Sequence, residues 1–299
     1  MPLGSHYTRP RVCFVIMVIW CTFVLCSPLA AKPIVIQHSE QYFPDTPGNE
    51  WTYRGLLLES GAVMIKEKSF VNVSTVVGQR TKNGLELTVF HDTNPGDQGP
   101  TDSFYYRDAA GIRYYGSEPG TALERQLVPY QIVRFPLEIP SSFQQLDREN
   151  LDLGLDLDRD GQTERVDVSA VVSVLGIDTV TVPAGTYPDA VRLEAKMTMD
   201  VHLSERKQTI RGTDVMTAWF ARGVGLLKYI ERQTLPSIRS TGERTKIIQI
   251  TEELEHATIQ EQTASLAGRK SPAHRIFANH TLDHELFQIV FPSRLFANP

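Results

Sequence analysis

Beyond residue 26 the chain has no cysteine at all, because its three cysteines are Cys13, Cys21 and Cys26. That absence excludes disulfide staples, thiol nucleophiles and cysteine metal sites from the remainder, which must be stabilised by core burial or a bound metal. Positive charge is also scarce. The 30 basic residues are outnumbered by 35 acidic ones, for a net charge of -5, and removal of Arg9 and Arg11 would leave 28 against 35, or -7. Lysine and arginine are scattered among acids, so no basic stripe is available to neutralise phosphates and no nucleic-acid partner is expected. Gly-x-Ser-x-Gly, phosphate-loop and dinucleotide fingerprints are missing as well. No nucleophile or acid/base set stands out, and an enzyme is the less favoured class.

What is present begins with a targeting pattern. Arg9 and Arg11 precede the apolar run Val12 to Cys26, and Ser27-Pro28-Leu29-Ala30-Ala31 follows. This order of charge, apolar core and small residues reads as a signal peptide over residues 1–31, cleaved after Ala31. The apolar run is short of the roughly 20 residues that span a bilayer, so no retained membrane span is expected. Leu25 stands where a lipid-attachment motif wants a small residue before Cys26, which speaks against a lipoprotein. The expected location is periplasmic or extracellular.

The rest alternates. Trp51 and Tyr53 share one face of a starting strand, where large rings bury much apolar area. Asn83-Gly84 lies between two strand-like runs and predicts a hairpin, since both residues tolerate positive φ. Asp108-Ala-Ala-Gly111 predicts a second hairpin. Ser117 to Asn150 is proline-punctuated and suits an edge or a crossover better than a central strand. Val166 to Val174 and Val191 to Leu203 place apolar residues at every second position, the mark of a sheet with one packed and one wet face. Further strands are expected near Val215 to Phe220, Leu226 to Glu231 and Arg244 to Thr251. The fold class is therefore mainly β: a long curved antiparallel sheet, either a sandwich or an open barrel. It should occupy residues 32–251. A short helix over Glu252 to Leu266 and a weakly ordered tail should fill residues 252–299.

Three short motifs resemble a loose group of exported bacterial β-rich proteins of unknown function. They are Tyr42-Phe-Pro44 with Gly48-Asn49-x-Trp51-x-Tyr53, then Val180-Thr-Val-Pro183-Ala-Gly185-Thr-Tyr187, then Trp219-Phe-Ala-x-Gly223-Val-Gly225. The likeness covers roughly residues 42–232 and implies fold and compartment without any catalytic residue. In some related exported proteins such a sheet curves around an apolar cavity.

The sharpest constellation is the acidic stretch Asp156-Leu-Asp158-Arg-Asp160-Gly161. Asp156, Asp158 and Asp160 take the first, third and fifth places of a Ca²⁺-binding loop, with Gly161 at the sixth. The carbonyl of Gln162 falls at the seventh, Glu164 at the ninth and Asp167 at the twelfth. Oxygen ligands at this spacing suit Ca²⁺, although an aspartate replaces the usual bidentate glutamate and a strand follows where a helix would. The bland alternative is a solvated Asp-Gly turn. His280-x-x-x-His284-Glu285 could set two imidazoles on one helix face, but it lacks the order of a zinc-protease motif and reads as a histidine-rich tail. Ser204-Glu-Arg-Lys207 has Ser-x-x-Lys spacing in a polar turn, without companion motifs. Asn72-Val-Ser74 and Asn279-His-Thr281 match glycosylation sequons.

Three functions stay open. The favoured one is a non-enzymatic exported structural or binding module carrying a structural Ca²⁺ loop. The second is a carrier of an apolar or lipid ligand on the concave face, suggested by the row Val191 to Leu203 with Met197 and Met199. The third is a hydrolase with its site on loops.

Overall fold

The computed structural model describes residues 32–60, 65–205, 207–235 and 245–260. The expected signal peptide, the residues beyond 260, and with them His280, His284 and Asn279, lie outside the described residues. The unit from Pro33 onward is built from strands β1 (Ile34–Ile36), β2 (Glu50–Ser60), β3 (Ile65–Lys82), β4 (Leu85–Asp92), β5 (Thr101–Asp108), β6 (Gly111–Glu118) and β7 (Tyr130–Arg134). It continues through β8 (Leu137–Ile139), β9 (Ser141–Asp152), β10 (Arg165–Val182), β11 (Gly185–Leu203), β12 (Gln208–Ala221), β13 (Gly225–Leu235) and β14 (Lys246–Thr258). One helix, α1 (Ala122–Leu127), and two 3-10 turns at Ser39–Tyr42 and Pro95–Asp97 complete the described elements.

Twelve of the strands form one antiparallel sheet in the order β7-β6-β5-β4-β3-β2-β14-β13-β12-β11-β10-β9. Every neighbour but one is also a neighbour in sequence, and that one is the β2–β14 pair. The sheet is therefore a meander whose late strands are zipped to its early ones, with Ile247 opposite Ser60 and Thr258 opposite Glu50. Such a sheet curls through the right-handed twist of its strands, and here it becomes a nearly closed barrel. Its two edges, β7 and β9, face each other across a seam without forming a ladder. The Gln145 side chain on β9 reaches over and donates to the Gln131 carbonyl of β7 at 2.9 Å. β1 and β8 pair separately, Val35 opposite Glu138.

Alternation decides which side chains fill the interior. On β11 the inward set Val191, Leu193, Ala195, Met197, Met199, Val201 and Leu203 is buried. Arg192, Glu194, Lys196, Asp200 and His202 point outward and pair across the surface, as in the two-pronged contact of Arg211 with Asp200 at 2.7 and 2.6 Å. Charged residues outside and apolar ones within are the reverse of a lipid-facing barrel. No helix among the described residues is long and apolar enough to cross a membrane.

The proline-rich region falls where its chemistry suggests. β7 is an edge of the large sheet and β8 pairs with the short β1, positions that tolerate a missing ladder donor. β9 is a full strand of 12 residues that the irregular sequence hides, and two register shifts interrupt its pairing to β10. α1 is unforeseen too, yet it carries a start signal. Thr121 accepts from the Glu124 amide at 3.0 Å, and the Glu124 side chain accepts from the Thr121 amide at 3.2 Å, a reciprocal cap. Glu124 also accepts from the buried Tyr114 hydroxyl.

The helix expected from Glu252 is corrected over its first residues, which continue β14 as far as Thr258. Buried Ile248, Ile250, Glu252 and Leu254 hold the two-residue period. Helix formers such as glutamate do not outweigh a paired strand on each side, and β14 lies between β2 and β13.

The Asn83–Gly84 hairpin joins β3 to β4 as the sequence indicates, with φ of 52° and 80° at its two turn residues. Nothing lies within 4 Å of where a Gly84 Cβ would stand. Gly84→Val should therefore cost backbone strain alone, on the order of 1 kcal/mol. Urea unfolding of the variant checks this, and an unchanged midpoint would remove the strain argument.

Candidate functional site

The first and third motifs of the loose group meet at one place. Phe43 is fully buried and its ring centroid lies 4.8 Å from that of Phe220 and 5.8 Å from that of Phe135. The Trp51 indole donates to the Val224 carbonyl at 2.6 Å, and the Tyr53 hydroxyl donates to the Leu226 carbonyl at 3.2 Å. Gly225, at φ 94°, lets the chain pass close to Pro44: an added Cβ would stand 3.3 Å from its ring. The Val182-Pro-Ala-Gly185 turn connects β10 and β11, and the Ala184 amide donates to the Leu254 carbonyl at 3.0 Å. All these contacts are packing and backbone satisfaction, so the motifs are architectural.

The acidic loop links β9 to β10. Leu153 is buried and Leu155 and Leu157 pack partly buried against the main core. This Leu-x-Leu-x-Leu row anchors the loop from below and turns the intervening acids outward. Backbone bonds from the Leu153 amide to the Glu164 carbonyl (2.9 Å) and from the Glu164 amide to the Leu155 carbonyl (2.8 Å) close its base. Gly161 takes φ 91° at the sharp turn.

Carboxylate oxygens of Asp156, Asp158 and Glu164 lie within 4.8 Å of one another. That spacing fits one ion, because Ca²⁺ holds its oxygens at about 2.3–2.6 Å and ligands on opposite sides of it are about 5 Å apart. Glu164 is fully buried. Its Oε1 accepts from the amides of Leu157 and Asp158 at 3.1 and 3.2 Å, and its Oε2 from the Ser204 amide at 3.1 Å. Asp156 accepts from the amides of Asp160 (3.1 Å) and Gly161 (2.9 Å). Asp158 Oδ2 accepts from the Glu205 amide at 3.0 Å, while its Oδ1 is shielded from water with no hydrogen-bond partner. An acceptor in that state is costly unless a cation or donor completes it.

The other expected ligands stand apart. Asp160 accepts from the Gln162 amide at 2.8 Å and from the Ser204 hydroxyl at 2.6 Å. Gln162 is exposed. Asp167 does not close the ring: its Oδ1 accepts from the Asn150 amide and its Oδ2 meets His202 Nε2, each at 2.8 Å. The reason is the pleat. Arg165 begins β10, and the two-residue period turns Asp167 to the outer face opposite His202 and Asp200. The Asn150 amide, and then His202, hold its carboxyl below the usual aspartate range. Ser204, of the Ser-x-x-Lys match, serves the β11–β12 turn as a donor to the acidic loop.

A second polar group escapes motif reading. Asp214 on β12, Glu231 and Gln233 on β13, and Glu252 on β14 all point inward and are buried. Asp214 is opposite Gln233 in register. The Tyr229 hydroxyl donates to Glu231 at 2.7 Å, and Gln233 Nε2 also donates to Glu231. Burial first, and then the nearby Glu231, push the Asp214 carboxyl well up. Burial, with Glu252 and Asp92 nearby, likewise raises Tyr53. The signal was in the alternation, since Asp214 interrupts the inward row Ile210, Gly212, Met216, Ala218 and Phe220. Asn72 belongs here too, buried and donating to Asp92 at 3.1 Å. Its sequon is therefore closed in the folded chain.

No family model and no curated protein matches the chain. Two solved structures align with it loosely. A candidate lipoprotein from Parabacteroides distasonis has 15% identity and a TM-score of 0.36 over 73% of this chain and 98% of its own. A candidate exported protein with a YmcC-like fold from Bacteroides fragilis has 13% identity and a TM-score of 0.31 over 72% of this chain and 98% of its own. Superpositions this loose assign neither a fold family nor a function to the chain.

Proposed function

We propose that this chain is an exported, non-enzymatic β protein that serves as a structural or binding module, with Ca²⁺ bound in the β9–β10 loop as a structural clamp. The observation that carries the calcium reading is the convergence of Asp156, Asp158 and Glu164 together with the unpartnered, water-shielded Asp158 Oδ1. A cation there would draw together the acidic loop and the β11–β12 turn, which already hangs on Glu164, Asp158 and Asp160 through Ser204 and Glu205. The role is structural because strands β9 and β10 flank the loop, where a sensor carries a helix pair that swings open. The sequence carries none of the catalytic motifs sought in it, which supports the non-enzymatic reading.

Export rests on the charge, apolar core and small-residue order of the first 31 residues. Amino-terminal sequencing of secreted material should read from Lys32. Recovery of intact Met1, or of a lipidated Cys26, would overturn cleavage after Ala31 and the soluble mature chain. Equilibrium dialysis of the purified protein against Ca²⁺ should find one bound ion per chain, and none would overturn the clamp.

A further inference from the structure

The seam between β7 and β9 holds a cavity of about 240 Å³ that no motif anticipated. It opens where the barrel ladder is missing. Val133 and Phe135, Leu137 of β8 and Phe143 of β9 supply much of its wall, and Val172, Val174 and Leu193 reach it from the inner faces of β10 and β11. Met197 and Met199 of the methionine row are packed, 1% and 0% exposed, whereas the seam has room for a ligand.

Two charged residues, Arg134 and Glu138, belong to the cavity lining. The Arg134 guanidinium carbon lies 4.2 Å from the centroid of the Phe143 ring, and among the described residues Arg134 has no carboxylate partner. Among the described residues no group accepts a hydrogen bond from this guanidinium, so its N–H groups are available. Those donors match the two oxygens of a carboxylate. A volume of 240 Å³ equals that of about eight waters at ~30 Å³ each, and a saturated chain of about eight carbons occupies similar space. Glu138 adds a like charge at the same mouth and so disfavours a ligand with more than one negative charge.

We propose that the seam cavity binds an amphipathic monocarboxylate with a chain of about eight carbons, its carboxylate on Arg134 and its chain against Val133, Leu137, Phe143 and Val174. This deepens the binding-module reading above and rests on it. Calorimetric titration of the purified chain with octanoate, octanol and octylammonium tests the proposal. Octanoate should bind at least about tenfold more tightly than either of the others, the margin of one charge-assisted contact. Arg134→Gln, an exposed change that leaves the core intact, should bring octanoate down to the level of octanol. Glu138→Gln should tighten octanoate. No heat with octanoate at millimolar concentration, equal binding of octanol, preference for octylammonium, or an unaffected Arg134→Gln variant would each overturn the proposal. Export and calcium are read by amino-terminal sequencing and dialysis, so failure of this inference is separable from failure of either.

Discussion

Calcium at a hundredfold excess over its dissociation constant is expected to stabilise the folded domain by about 2.7 kcal/mol, provided the unfolded chain does not bind it. For a domain of this size each kcal/mol moves the melting midpoint by about 2–4 °C. Melting curves in calcium and in chelator should therefore separate by roughly 5–10 °C. Asp158→Ala should collapse that separation, because it removes the water-shielded carboxylate oxygen that has no other partner. Glu164→Gln should act differently. It places an amide donor where Glu164 accepts three backbone N–H groups. At least one of those donors would be stranded in a buried site, at a cost of about 1–3 kcal/mol even in chelator. Wild-type curves that superimpose in calcium and chelator would reduce the loop to a hydrogen-bonded turn.

Stability should also fall as pH rises, through Asp214. Its folded-state pKa is raised by burial and by Glu231. The folded chain thus keeps a proton that the unfolded chain releases near the ordinary aspartate value of about 3.9. The stabilisation is complete below that value and is lost progressively toward the raised folded value, by up to about 1.4 kcal/mol per pH unit for one proton. The groups facing Asp214 are Met197 of β11, across the ladder, and Gln233 opposite on β13, with Glu231 and Tyr229 nearby. Asp214→Asn keeps the shape and cannot ionise. Urea unfolding from pH 4 to pH 9 should show the variant overtaking the wild type as pH rises. Two curves that stay parallel across that range would show that Asp214 does not govern the alkaline loss.

The acidic loop shows how far spacing reads. Asp156, Asp158 and Glu164 are brought together because Leu153, Leu155 and Leu157 tie the loop to the core and Gly161 turns it, and all of these are local features. Counting twelve places puts Asp167 in the same ring. A counted place assumes that the loop geometry persists, and it ends where Arg165 enters β10. From there the pleat, set by pairing with β9 and β11, points Asp167 to His202. The interior acids went unread for a related reason. Motif reading seeks residues close in sequence, whereas Asp214, Glu231 and Glu252 approach only because β12, β13 and β14 are adjacent.

By itself the sequence determined the antiparallel β class, the buried face of β10 and β11, the Asn83–Gly84 and Asp108–Gly111 turns, and the outline of the acidic loop. These depend on φ preferences and a two-residue period, which act between near neighbours in the chain. Tertiary structure alone decided that β14 continues to Thr258 and pairs with β2, that the sheet curls until β7 faces β9, and that a cavity opens at that seam. Those outcomes follow from strand order and accumulated twist: β2 and β14 meet from some two hundred positions apart, and β7 meets β9 only because the whole sheet curls, which leaves no periodic trace in the residues themselves.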